Sequence, residues 1–288
     1  MAELLKGKAV AEAINLRSIE TVKRLKAEGI QPTLAIFRVG CREDDLSYER
    51  GALKRCAETG VETIRYSFVE DVSEEEFYAK LKEANENDAI HGILVFRPLS
   101  KRFDDEKLRN SIRPEKDIDG CSDLSLAGVF TDRQLGFAPC TAQSVIEMLD
   151  HYKIELQGKN VVVIGRSLVI GKPLSMLMLK RNATVTICHS RSEDLPAIAS
   201  KADILVCAIG KAEMIDHTYV NPDQVVIDVG INWNEEKQKL CGDVFFEDIE
   251  ASVKAISPVP GGIGSITTAV LVSHVVEAAA RKHNKPTV

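Results

Sequence analysis

Apolar residues fall along this chain in two alternating rhythms, one of helical period and one of short continuous runs. Residues 9–28 carry the helical rhythm, and Gly29 with Pro32 just beyond ends it. Thr33–Val39, with Leu34, Ile36 and Val39 apolar and Gly40 closing it, reads as a short buried strand. Residues 47–59 predict a second helix ending at Gly60, and residues 62–69 a second strand. Residues 73–87 predict a helix whose acidic first turn suits the helix dipole, and residues 91–96 a third strand stopped by Pro98. This βαβα succession indicates a parallel sheet. In the second half, residues 141–151 predict a helix, residues 160–164, 184–188, 204–208 and 225–229 predict strands, and residues 267–282 a long helix with an apolar face. Residues 113–136 are less regular and rich in Asp, Gly and Ser, so the hinge is expected there or just after.

A chain of 288 residues is long enough for two domains, each with its own core. Hydrophobic content of 44% and charged content of 28% describe a globular protein. The net charge of −6, with no long basic stripe, argues against nucleic acid as a partner. The seven cysteines (Cys41, Cys56, Cys121, Cys140, Cys188, Cys207 and Cys241) are scattered and never in C-x-x-C spacing. They read as reduced thiols in a cytoplasmic protein, and no metal site is expected. Lys6 and Lys8 stand where a signal peptide would be apolar, and no run approaches the ~20 apolar residues of a membrane span.

The sharpest local signal lies in residues 160–190. The run Val161-Val162-Val163-Ile164 breaks at Gly165-Arg166-Ser167, and Gly171-Lys172-Pro173 follows. A buried strand ending at glycine, with a helix starting just beyond, aims backbone N–H groups and a positive helix end at a dinucleotide pyrophosphate. The spacing is not the usual G-x-G-x-x-G, so the strand–turn–helix context carries the reading. At the end of the next strand an NAD site carries an acid for the ribose 2′-hydroxyl. Here His189-Ser190-Arg191 stands instead. Arg191 and Arg166 with a serine hydroxyl suit a 2′-phosphate, hence NADP.

A second signal precedes the last helix. Pro258, Val259, Pro260, Gly261, Gly262, Ile263 and Gly264 form a loop stiffened by prolines, in which glycines allow close backbone approach to a ligand. Asp117 and Asp119 put two carboxylates in one turn, which by itself reads first as turn chemistry. Tyr48 sits on a helix, where a lone tyrosine is ordinarily packing.

Taken together the segments resemble the methylenetetrahydrofolate dehydrogenase/cyclohydrolase family of one-carbon metabolism. The matches are Gly-Ile-Leu-Val at 92–95, Glu-Lys-Asp-Ile-Asp-Gly at 115–120, Pro-Cys-Thr at 139–141 and Val-Val-Ile-Gly-Arg-Ser at 162–167. They continue with Ala-Thr-Val-Thr at 183–186, Cys-His-Ser at 188–190, Ile-Asp-Val-Gly-Ile-Asn at 227–232, Gly-Asp-Val at 242–244 and Pro-Val-Pro-Gly-Gly-Ile-Gly at 258–264. They follow the family order across nearly the whole chain. The resemblance implies a homodimer of two α/β domains, the second Rossmann-like with a parallel sheet, with folate in the cleft. Residues 1–136 with 268–288 would form the folate-binding catalytic domain, and 137–267 the NADP domain. Asp119 would hold the pterin ring through its amino and N3–H groups, and Tyr48 would stack on the folate. These two are the catalytic candidates. Phe96 and the loop residues Pro258, Val259, Pro260, Gly261, Gly262 and Gly264 would line the folate site. Gly165, Arg166, Ser167, Ser190, Arg191 and Ile231 would contact NADP.

The departures bear on activity. The family helix reads Tyr-x-x-x-Lys with a catalytic lysine, but four residues after Tyr48 stands Ala52. The family strand ends in Gln before Leu-Pro, whereas here Phe96 is followed by Arg97 and Pro98. Lys54 lies about 200° around the helix from Ala52, and Arg55 cannot serve as a base because its guanidinium stays protonated. The expectation is a dehydrogenase with weak or absent cyclohydrolase activity. The alternatives are a bifunctional enzyme using another base, or a non-catalytic NADP- or folate-binding homologue.

Overall fold

The computed structural model of the chain describes residues 2–284. The elements, in order, are β1 (Glu3–Leu4), α1 (Gly7–Ala27), β2 (Thr33–Val39), α2 (Glu43–Thr59), β3 (Glu62–Phe68), α3 (Glu74–Glu86) and β4 (Gly92–Val95). Then come α4 (Asp105–Asn110), α5 (Asp123–Thr131), α6 (Cys140–His151), β5 (Asn160–Ile164), α7 (Gly171–Lys180), β6 (Thr184–Cys188), α8 (Leu195–Ala199) and β7 (Ile204–Cys207). The chain ends with β8 (Val225–Asp228), β9 (Asn232–Asn234), β10 (Lys239–Cys241), α9 (Phe246–Ile249), β11 (Ala255–Ile256) and α10 (Thr267–Lys282).

These elements build two compact units. One comprises Glu12–Cys140 with Thr268–Val288, the other Met1–Ala11 with Thr141–Thr267. The first contains a parallel sheet in the order β3-β2-β4. Phe37, Phe77, Leu81, Ile93 and Phe103 fill its core. Local chemistry sets its helix ends. Ser73 accepts at 3.1 Å from the Glu76 N–H to start α3, and Gly60, at φ 82°, turns the chain out of α2. Gly92 opens β4, where a Cβ would come within 2.9–3.0 Å of Ile118 and Val275. Glycine therefore lets the 114–120 turn and α10 close onto the strand, and Ile93 bridges to Asp117.

The second unit holds a six-stranded parallel sheet, β1-β11-β8-β7-β5-β6. From β5 the chain moves outward to β6, then crosses back to β7 on the other side. The order thus reverses between β5 and β7, where doubly wound sheets open a ligand crevice.

Two expectations need correction. Residues 2–11 belong with the six-stranded unit, because β1 adds to its edge beside β11. Two-residue strands carry no periodicity, and only their register reveals them. The 113–136 stretch is also more ordered than expected. It contains a 3₁₀ turn at Pro114–Lys116 and the helix α5, started by Ser122 accepting at 3.2 Å from the Ser125 N–H. The crossing point at Cys140–Thr141 lies just beyond it.

Candidate active site

In the three-stranded unit the polar residues gather where β4 ends. Tyr48 lies on α2, and its ring meets Phe96 edge-on, with centroids 5.8 Å apart and planes at 82°. Ala52 follows one turn later, on the same helix face by spacing, and is fully buried. Phe96 is 7% exposed. Lys54 is 79% exposed and sits 3.9 Å from Glu58, so it turns to solvent as its helical position requires.

The 114–120 turn brings Asp119 to the same place. Its neighbour Asp117 is fully buried and acts as the lock of the turn, accepting from Ser122 N–H at 2.8 Å, Ser125 Oγ at 2.7 Å and Cys121 N–H at 3.2 Å. Asp119 keeps about a third of its side chain open (35%) and lies 3.8 Å from Arg97 Nη2. Burial by surrounding protein pushes its carboxyl up to about 6, against the pull of Arg97 and a hydrogen bond from the Cys140 thiol, with Asp117 adding to the rise. Cys140 also reaches Ile118 O at 3.3 Å. His274 Nδ1 donates to that carbonyl at 2.8 Å, and its ring lies 4.8 Å from Phe137. Burial raises the Cys140 thiol well above its usual range, which makes it a proton-bearing neighbour rather than a nucleophile.

In the six-stranded unit the reversal point carries the other set of candidates. Gly165, at φ 142°, packs so tightly that a Cβ would overlap the Ala208 carbonyl oxygen. Gly171 is equally confined against Gly165. Ser167 Oγ accepts from Ile170 N–H at 3.1 Å just ahead of α7, and Lys172 N–H donates to the Ser167 carbonyl at 3.1 Å. Register sets Ile164 beside Cys188, so the loop bearing Arg166 and the loop bearing Ser190 and Arg191 leave the sheet side by side. All three side chains are exposed.

The loops after β7 and β8 are pinned by two buried carboxylates. Asp243 accepts from the N–H groups of Ile209, Gly210 and Lys211 at 2.6–3.0 Å and from Asn232 Nδ2 at 3.0 Å. Asp228 accepts from Gly230, Asp243 and Val244 N–H at 2.9–3.0 Å. Burial pushes Asp228 up to about 7. Its own N–H donates at 2.8 Å to Ser257 Oγ, the residue preceding the proline–glycine loop. That loop folds against the start of α1, where Gly7 N–H donates to Gly261 O at 2.8 Å. Ile231, 62% exposed, lies against Gly264, its Cδ1 3.1 Å from where a Cβ would sit.

Structure thus brings Tyr48, Phe96 and Asp119 together in one unit. Gly165, Arg166, Ser167, Ser190, Arg191, Ile231 and the 258–264 loop lie in the other. Sequence reasoning read Asp117 as turn chemistry, and its hydrogen bonds hold that turn. It missed the Arg97–Asp119 pair, His274 and the scaffolding by Asp228 and Asp243, although both of these aspartates lie in the matched segments 227–232 and 242–244.

Residues 5–119 match the family described as tetrahydrofolate dehydrogenase/cyclohydrolase, catalytic domain, and residues 139–283 match its NAD(P)-binding domain. The chain belongs to the tetrahydrofolate dehydrogenase/cyclohydrolase family. It is 48% identical over 283 residues to the bifunctional protein FolD of Clostridioides difficile, covering 98% of each chain. Among solved structures it is similar to the bifunctional FolD of Campylobacter jejuni, with a TM-score of 0.94 and 34% identity over 98% of this chain and all of that one. It is also similar to the Trypanosoma brucei FolD complexed with NADP cofactor and inhibitor, with a TM-score of 0.90 and 31% identity over 98% of each. The chain therefore pairs a family catalytic domain with an NAD(P)-binding domain, in a two-domain α/β fold built on parallel sheets. Among the described residues, no helix is long and apolar enough to cross a membrane.

Proposed function

We propose that this chain is a cytoplasmic, homodimeric, NADP-dependent 5,10-methylenetetrahydrofolate dehydrogenase whose cyclohydrolase activity is weak or absent. The observation that carries the second half is the pair of apolar, buried side chains, Ala52 and Phe96, where the family has lysine and glutamine. Asp119 binds the pterin through two N–H groups and Tyr48 stacks on the folate. NADP, when bound, supplies the hydride acceptor. The confined Gly165 and Gly171 fit a pyrophosphate held close to the backbone, Ser167 fits the same turn, and Arg166, Ser190 and Arg191 fit a 2′-phosphate. Ile231 contacts NADP, and the 258–264 loop lines the folate.

The two reactions ask different things of the protein. Departure of hydride from the folate methylene is assisted by the N5 and N10 lone pairs, so the protein contributes mainly positioning. Hydrolysis of the methenyl product needs an activated water and a proton for the opening ring. General acid–base catalysis contributes ~10²–10⁴-fold to such steps, and Ala52 and Phe96 supply none of it.

A bifunctional reading gains from the 48% identity to a bifunctional relative. It requires another base, and neither Lys54 nor Arg55 on α2 provides one, since Lys54 faces solvent and a guanidinium does not serve as a base. NADPH should form from 5,10-methylenetetrahydrofolate, and Arg166→Ala should weaken NADP at least tenfold more than NAD. Equal losses for both would remove the NADP assignment. Sedimentation should give twice the chain mass, and a single-chain mass would remove the dimer.

A further inference from the structure

Arg97 departs from the family pattern and is not spent on solvent. It follows Phe96 at the end of β4, and its side chain is only 20% exposed. Its Nη1 donates to Asp105 Oδ1 at 3.3 Å, and Arg109 Nε holds the other oxygen of Asp105 at 3.1 Å. Arg109 is tied in turn to Cys121 O at 3.1 Å and to Asp123 at 3.2 Å. This chain of contacts anchors the guanidinium from behind. On its other side Nη2 stands 3.8 Å from Asp119 Oδ2, too far for a hydrogen bond. The carboxylate therefore attracts the guanidinium without using up its N–H groups. An acceptor and a set of available donors lie side by side in one partly open site.

We propose that Arg97 reads the C4 carbonyl of the pterin ring while Asp119 reads the adjacent N3–H and 2-amino groups. This rests on the reading of Asp119 as the pterin ligand. The edge of a 2-amino-4-oxopteridine presents donor, donor and acceptor in a row. A carboxylate offers two acceptors for the first two positions, and a guanidinium, which cannot become an acceptor, offers only donors to the third. A 4-amino ring puts a donor there instead, facing Arg97 donor to donor, and lacks N3–H when neutral. With Phe96 in place of the family glutamine, Arg97 is the polar side chain left at the strand end. It is then a specificity-determining residue of this chain.

The test is equilibrium binding of folic acid and its 4-amino analogue to the intact protein, wild type and variants, with NADP binding measured alongside. Wild type should prefer the 4-oxo ligand. Arg97→Leu should reduce that preference about tenfold, in line with loss of one charge-assisted hydrogen bond, and leave NADP affinity unchanged. Arg97→Lys keeps a single compact donor and should fall between; it also serves if the leucine variant does not fold. A preference unchanged in Arg97→Leu, or in Arg97→Lys where only that variant folds, while both ligands still bind, overturns the role of Arg97 alone. Failure of folic acid to bind wild type overturns the pterin reading as well.

Discussion

Asp119 shows how one position can serve binding at some expense to stability. Its carboxyl is raised to about 6 by burial, chiefly, with Asp117 adding and Arg97 and Cys140 opposing. Only the ionised form accepts from two N–H groups. The KM for the folate substrate should therefore be flat above about pH 7 and climb as pH falls through 6. Asp119→Asn should raise KM at neutral pH and abolish this acid limb. A limb that persists in the variant would assign it elsewhere. The sign for folding is the reverse. A carboxyl whose folded pKa exceeds its free value stabilises the fold at low pH, and that contribution is lost as pH rises toward 6. Ala52 and Phe96 lead to a second prediction. Ala52→Lys alone should not yield hydrolysis of methenyltetrahydrofolate, because Phe96 still occupies the place of the partner amide. Ala52→Lys with Phe96→Gln should raise it at least tenfold over the parent, read by loss of methenyl absorbance. These positions could be read from sequence because the motif Tyr-x-x-x-Lys has fixed helical spacing. The Arg97–Asp119 pair could not, since nothing local links residues 22 apart in the chain.

Longer elements announce themselves and short ones do not. β2, β5 and α10 stand where the apolar pattern put them: the two strands are largely buried and read as continuous apolar segments, and the helix as a long apolar face. β1, β11 and the β9–β10 hairpin are two or three residues long, and pairing alone defines them. α5 escaped notice because large apolar side chains on it, Leu124 and Phe130, point to solvent at 55% and 73% exposure. Two turns carry their own tests. Gly165→Ala sets a Cβ onto the Ala208 carbonyl at a φ that L-residues avoid, and should cost about 2–4 kcal/mol. Denaturant midpoints should show that loss together with weakened NADP binding. An unchanged midpoint would mean that the turn can open. Asp117→Ala strips four donors of their acceptor at a fully buried site and should cost about 3 kcal/mol or more. Folate affinity should fall with it, since the same turn carries Asp119. Ser73→Ala removes only an N-cap far along the chain from that turn. It should cost about 1 kcal/mol and leave folate affinity alone.

The molecule as a whole divides its chemistry between two units, and so does its sequence. Family motifs cover both, which is why fold and cofactor class could be read before any coordinates. The role of residues 2–11 could not, because a terminal strand joins a sheet made mostly of residues beyond 160. On the proposed reading, Ala52 and Phe96 stand where the family pattern has its lysine and glutamine. The account therefore stands on the fate of the methenyl product. Supplied with 5,10-methylenetetrahydrofolate and NADP, the protein should form NADPH and methenyltetrahydrofolate in step, with the methenyl species decaying only at its spontaneous rate. NADPH accompanied by rapid enzyme-dependent conversion of methenyl to 10-formyltetrahydrofolate would contradict the account and require another group to do the work of the missing lysine.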